Sequence, residues 1–194
     1  MKKKEKVFLK QIIHIKINMS KTRSIAIDVF NNISVREKVI TFSVLAVFVI
    51  YLPTLVHSQM VTGTVVNMSL ILATFLIGPY VAVLLGLMPS SFALLSGLLP
   101  LPLALIVPFI MISNAILVFT YHHLGKRRFF LSIFMAGFLK FVLLSASTYV
   151  FLTVFLKNEQ LAAVASNMFG WTQMLTAVTG GVLAYTVLLA MKKV

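Results

Sequence analysis

The sequence predicts an all-α integral membrane protein with six transmembrane helices and both termini in the cytoplasm. Three observations lead to this fold class. The 194-residue chain is 60% hydrophobic and 11% charged, whereas a soluble domain is about 45–50% apolar and about 25% charged. It has no Lys, Arg, Asp or Glu from Val39 to Gly125. Most of its 17 basic residues fall in three short segments outside the apolar runs.

The charge-free stretch has room for four membrane-spanning helices, because a helix that rises about 1.5 Å per residue needs about 20 apolar residues to cross. Its breaks fall at His57-Ser58-Gln59, Gly78-Pro79 and Pro100-Leu101-Pro102. Proline lacks an N–H and disfavours helix in the preceding residue, so these are natural helix ends. Two more apolar runs follow the charge-free stretch. The predicted spans are 39–56, 61–77, 80–99, 103–121, 129–156 and 171–191.

The distribution of positive charge predicts the orientation, since Lys and Arg concentrate in cytoplasmic loops. Ten basic residues precede the first predicted span, three lie at 126–128, and two are Lys192 and Lys193. With a cytoplasmic N-terminus and an even number of spans, all three groups lie on the cytoplasmic side. The exceptions are Lys140, inside the fifth span, and Lys157, in an outer loop.

The chain divides into a basic cytoplasmic segment, 1–37, and a transmembrane domain, 38–194. Two interpretations of the basic segment stay open: a solvated tail whose charge sets the topology, and an amphipathic helix over 12–27 on the anionic inner leaflet. The net charge of +13 does not indicate nucleic-acid binding, because the segment has no aromatic platform for bases.

Small residues recur at helical spacing in two spans. Two interpretations fit such seams: close packing between helices of this chain, and docking onto a partner membrane protein. The two seams comprise Ala82, Gly86, Ser90, Ala93 and Gly97 in the third span, and Thr176, Gly180 and Ala184 in the sixth.

The sequence predicts no enzymatic activity, no metal site and no cofactor. There is no cysteine, which removes thiolate catalysis and thiolate metal ligands. No carboxylate lies inside any predicted span, so the acidic ligands of intramembrane metalloproteases are missing. The chain also lacks a Gly-x-x-x-x-Gly-Lys phosphate loop and the common hydrolase motifs.

Neutral polar residues concentrate at the predicted outer connections, where they favour a binding pocket for a small polar molecule. Trp171 has two interpretations, a flat face for a ligand ring and an aromatic belt residue. We interpret His57 as a hydrogen-bonding group rather than a metal ligand, because no second histidine is near it in the sequence. The predicted substrate-binding residues in these connections are His57, Gln59, Thr62, Asn67, Trp171 and Gln173.

Two further candidates lie deeper. Asn114 is about halfway along the fourth span, and Lys140 is near the middle of the fifth. A lysine at mid-membrane costs at least about 2.5–3.5 kcal/mol, so it needs a partner. Backbone carbonyls, Asn114 and a bound anionic ligand are the candidates, and the alternative is a side chain that snorkels to the inner headgroups. An unpaired lysine favours a neutral or anionic ligand.

Several segments resemble the substrate-binding S components of energy-coupling factor (ECF) vitamin transporters. The resemblance covers about residues 36–194 and is to a group sometimes labelled "iron hydrogenase", a label that implies cluster-binding cysteines absent here. The segments that carry it are Leu52-Pro53, His57-Ser58-Gln59, Thr62-Gly63, Asn67, Gly97 to Pro102 and Pro108 to Asn114.

The resemblance implies a multi-pass protein of a bacterial-type plasma membrane that captures a small, vitamin-like micronutrient from outside. It implies a transmembrane coupling protein and two cytosolic ATPases, supplied by other chains, that topple the S component to release the substrate inward. Two rival functions stay open: a membrane scaffold without a small-molecule ligand, and a standalone permease or lipid-modifying enzyme of unfamiliar type.

Overall fold

The computed structural model describes residues 34–56, 58–125, 128–155 and 159–193. The predicted amphipathic helix, His57 and Lys157 lie outside these residues. In the described part every regular element is helical, which confirms the all-α prediction. The elements are α1 (Val35–Leu55), α2 (Gln59–Leu76), α3 (Pro79–Leu95), a 3₁₀ helix (Leu101–Ile106), α4 (Val107–Leu124), α5 (Phe129–Phe155), α6 (Glu159–Phe169) and α7 (Thr172–Ala190).

The helix ends follow local chemistry. Ser34 and Glu37 form a capping box at the start of α1, in which each side chain bonds the other residue's backbone N–H. Between α2 and α3, Gly78 has a φ of 106° and Pro79 opens the next helix. Positive φ favours glycine, and proline at the first position loses no helical hydrogen bond. Two adjacent residues therefore form the turn between α2 and α3.

Two predicted boundaries are wrong. The third span was predicted to reach residue 99, but α3 ends at Leu95 and Gly97 turns the chain with a φ of 75°. The segment 159–169, predicted as part of an outer connection, forms the short helix α6. It carries Glu159 in its first turn, where an acidic side chain stabilises a helix, and it buries Ala165 and Phe169.

Among the described residues, five helical segments are long and apolar enough to cross a membrane, and the 17-residue α3 is apolar but shorter. The five segments are Val35–Leu55, Gln59–Leu76, Leu101–Leu124, Phe129–Val154 and Glu159–Ala190. Each of the six predicted spans thus overlaps at least one helix of the structure.

The distribution of side chains is that of a protein surrounded by lipid. Large apolar side chains such as Phe48, Phe134 and Val154 are exposed on the outside of the bundle. Polar side chains such as Asn67 and Thr176 are fully buried. In a bilayer an apolar exterior costs nothing, whereas a polar group must find a partner inside. The architecture is therefore typical of a multi-pass membrane protein.

Helices α2 and α7 form the most extensive pair, followed by α4 and α5. Four small residues of the seams, Gly86, Thr176, Gly180 and Ala184, are buried by helices of the same chain. Gly86 of α3 faces α2 and α4, and Gly180 of α7 faces α2. For these residues the packing interpretation is confirmed, whereas Gly97 at the end of the third-span seam is exposed. In contrast α1 is peripheral and buries only Leu45 and Val49.

Candidate functional site

A cavity of about 400 Å³ lies at one end of the bundle. Six helices end or begin near it: α1, α3 and α6 end at this end of the bundle, and α2, α4 and α7 begin there. Helix α5 contributes Lys140 from its middle. The basic residues Arg128, Lys192 and Lys193 belong to the opposite end. The volume is within the range of about 300–1,000 Å³ typical of small-molecule pockets. The polar residues of the lining are Gln59, Thr62, Ser90, Asn114, Lys140 and Gln173.

Lys140 forms the deep polar end of this cavity. Its side chain is 3% exposed, and its ammonium donates hydrogen bonds to Asn67 Oδ1 and Asn114 Oδ1, each at 2.8 Å. The side chain therefore does not snorkel to the surface, and Asn114, one of the candidate partners from the sequence, is an acceptor. Three helices, α2, α4 and α5, meet at this one nitrogen. We call Lys140, Asn67 and Asn114 the lysine cluster.

Further hydrogen bonds orient both amides of the lysine cluster. Asn67 Nδ2 donates to Thr176 Oγ1 at 3.2 Å, and Thr176 in turn donates to the Gln173 carbonyl at 3.1 Å. Asn114 Nδ2 donates to the Gly86 carbonyl at 2.8 Å. With both amide nitrogens occupied, the amide oxygens face the ammonium. The cluster is thus held by α3 and α7 as well as by its own helices.

The lack of a side chain at Gly86 allows the hydrogen bond from Asn114, because α3 and α4 can approach each other closely there. A Cβ built on Gly86 would lie 3.1 Å from the Asn114 Cβ and 3.3 Å from a Leu70 methyl. Because glycine has no side chain, α3 and α4 come near enough for the Asn114 amide to reach a helical carbonyl. The third-span seam therefore helps to position a residue of the cavity.

Ser90 lies one turn beyond Gly86 on α3 and also lines the cavity. Its side chain is 5% exposed, and its hydroxyl has no hydrogen-bond partner among the described residues. A buried hydroxyl without a partner costs about 1–3 kcal/mol. Sequence reasoning placed Ser90 in a packing seam and missed it as a site residue, because a serine among glycines and alanines is typical of both roles.

The orphan hydroxyl leads to a stability prediction. We expect Ser90→Ala to leave the thermal unfolding temperature of the detergent-solubilised protein unchanged or to raise it, because the alanine removes an unpaired polar atom. Thr176→Val is the matched contrast, since its hydroxyl accepts from Asn67 and donates to the Gln173 carbonyl. It should destabilise by about 1–3 kcal/mol. Equal destabilisation by both changes would contradict the assignment of Ser90 as unpaired.

The structure brings five predicted residues to the cavity: Gln59, Thr62, Asn114, Lys140 and Gln173. Their roles differ. Thr62 donates to the Ser58 carbonyl of its own helix, and Gln173 Nε2 donates to the Met168 carbonyl at 2.8 Å. The Gln59 side chain has no hydrogen bond to another described residue.

Of the other three predicted residues, Asn67 and Trp171 do not line the cavity. Asn67 is fully buried behind Lys140 and supports it. Trp171 is 65% exposed and lies with Ser58 and Asn167 in a depression that adjoins the cavity at Gln59 and Met168. Its exposed ring agrees with the belt interpretation rather than with a ring that stacks in the cavity. His57 lies outside the described residues.

Among the described residues no group of three or more His, Asp or Glu side chains comes close enough to hold a metal ion. The polar groups at the cavity are neutral except for Lys140. Such a lining can bind and orient a ligand. Comparison of the chain with protein-family models, with curated proteins and with solved structures gave no match.

Proposed function

We propose that the chain is the membrane-embedded substrate-binding (S) component of an ECF-type importer in a bacterial-type plasma membrane. The observation that carries the proposal is the cavity of about 400 Å³ with a buried, amide-held lysine at its deep end. A lysine in a transmembrane segment costs at least about 2.5–3.5 kcal/mol and marks a functional site by default. The resemblance of residues 36–194 to S components agrees with this function.

In the proposed topology the six predicted spans all cross the membrane and both termini are cytoplasmic. The cavity end then faces outward, because Arg128, Lys192 and Lys193 belong to the opposite end and positive residues favour the cytoplasm. Helix α3 has only 17 residues, and the turn around Gly97 extends this span toward the cavity end. A vitamin-like micronutrient enters from outside and binds between the helices.

The chain itself supplies capture and specificity in this mechanism. It carries no phosphate-binding loop, so ATP hydrolysis belongs to two cytosolic ATPases, joined through a transmembrane coupling protein. Binding of the S component to that coupling protein topples the bundle and carries the cavity to the inner side. The apolar exterior suits such a movement, because rotation within lipid exposes no new polar surface.

Affinity purification of the full chain from its native membrane, in mild detergent, tests the proposed function. We expect a coupling protein and two different ATPases to co-purify, and ATP-dependent release of a small molecule from the complex. The matched control is a variant in the peripheral helix α1, Thr41→Ala, which leaves the cavity intact. Membrane partners without any ATPase would overturn the importer and support the scaffold.

A further inference from the structure

The ammonium of the lysine cluster has one hydrogen-bond donor without an acceptor among the described residues. An ammonium carries three N–H donors, and the structure pairs Lys140 with Asn67 Oδ1 and Asn114 Oδ1. Both acceptors are neutral, so the positive charge is not balanced. From Lys38 to Asn158 the sequence contains no Asp or Glu. The third donor of Lys140 is therefore left for a group in the cavity that the residue lines.

Ser90 adds a second unused polar group at the same cavity. Its hydroxyl is buried and has no partner among the described residues. Ser90 lies four residues after Gly86, whose carbonyl accepts from Asn114. Residues four apart share one helix face, so Ser90 stands one turn above the lysine cluster on the face of α3 that lines the cavity.

The rest of the lining is mainly apolar. Pro53, Val66, Ile110, Leu99 and Phe169 come from different elements and surround the space above the cluster. Among the described lining residues Lys140 is the one that carries a charge. A ligand that matches this surface has an apolar body and a single negative group at one end. A phosphate carries about 1.5 to 2 negative charges near neutral pH, which a single ammonium does not balance.

We propose that the cavity takes a small monocarboxylate with a compact apolar body, the carboxylate accepting from Lys140 Nζ and Ser90 Oγ. This inference rests on the proposed function and names the substrate class of its site. A carboxylate completes the donors of the ammonium and balances its charge in a medium of low dielectric, which a neutral carbonyl does only in part. The two asparagines hold the ammonium in place before the ligand arrives.

Matched pairs of ligands test the charge requirement. The full chain is purified in phosphatidylcholine nanodiscs and titrated with benzoate and benzamide, octanoate and octanamide, and indole-3-acetate and indole-3-acetamide. We expect at least one carboxylate to bind about 10- to 100-fold more tightly than its amide, the range of a charge-assisted hydrogen bond. Equal affinities within every pair, or no binding by any carboxylate, would overturn the inference.

Variants locate the site. Lys140→Met should reduce the affinity for the bound carboxylate to that of its amide, and Ser90→Ala should weaken it about 5- to 10-fold. Ser145→Ala is the control, because this hydroxyl lies on the same helix as Lys140, has no partner among the described residues and does not line the cavity. If Lys140→Met does not fold, Ser90→Ala decides. An unchanged carboxylate affinity in Ser90→Ala and in any folded Lys140→Met would contradict the site.

The two proposals fail separately. A carboxylate preference without co-purifying ATPases leaves the anion site standing and removes the importer. Co-purifying ATPases with equal binding of acids and amides leave the importer standing and remove the substrate class.

Discussion

Gly180→Ala should be the most destabilising single substitution in the α2–α7 interface, at a cost of about 3 kcal/mol or more. An added Cβ would lie 2.6 Å from the Thr64 carbonyl oxygen and 2.8 Å from the Met68 nitrogen. Both are backbone atoms of α2, so no rotamer change relieves the clash. The two helices must separate, and they form the most extensive pair of the bundle.

The neighbouring glycine supplies the control. A Cβ on Gly181 would contact Ile133 only through that residue's side chain. Gly181→Ala should therefore cost less in an Ile133→Ala background than in the native chain, whereas the cost of Gly180→Ala should be the same in both. Equilibrium unfolding in mixed SDS micelles measures all six proteins. A Gly180→Ala variant as stable as the native chain would contradict the close approach of α2 and α7.

The same substitution should disturb the site. The Gly180 Cβ would also lie 3.0 Å from the Asn67 Cβ, and Asn67 holds Lys140 through its amide oxygen. A shift of α2 away from α7 also separates Asn67 from Thr176. Close helix packing and the geometry of the lysine cluster thus depend on one small residue of α7.

The fold was largely predictable because residues at the breaks themselves determine where the helices end. Gly78-Pro79 ends one helix and begins the next through backbone constraints that need no tertiary partner. The absence of charge from Val39 to Gly125 likewise predicts, without any tertiary contact, that lipid surrounds these helices. The helix α6 was missed because a short amphipathic segment with Asn and Gln is not distinguishable from a polar loop by composition.

The lysine cluster was only half predictable. The depth of Lys140 in an apolar run, with no acid nearby, requires a neutral or ligand-borne partner, and Asn114 was one candidate. That Asn67 is the second acceptor depends on which helices are neighbours, and helices that are apolar all round carry little information about this. Ser90 was not predictable as a site residue for the same reason. Only the position of the cavity distinguishes it from the packing residues beside it.

The second large effect expected is a strong coupling between Asn67 and Lys140. Asn67→Ala should destabilise the native protein by about 1.5–3 kcal/mol, because a buried ammonium loses one of its two protein acceptors. In a Lys140→Met background the same substitution should cost only the Asn67–Thr176 bond, about 0.5–1.5 kcal/mol. The difference is the coupling energy, which a double-mutant cycle of unfolding free energies measures.

Asn114→Ala serves as the parallel cycle, since its amide oxygen accepts from the same ammonium at the same distance of 2.8 Å. Both cycles should show positive coupling with Lys140, and a cycle between Lys140 and Ser145 should show none. Additive costs in the two asparagine cycles would mean that the ammonium does not depend on these amides. In that case the positive charge would be held from elsewhere, and the cavity would lose the group that selects a carboxylate.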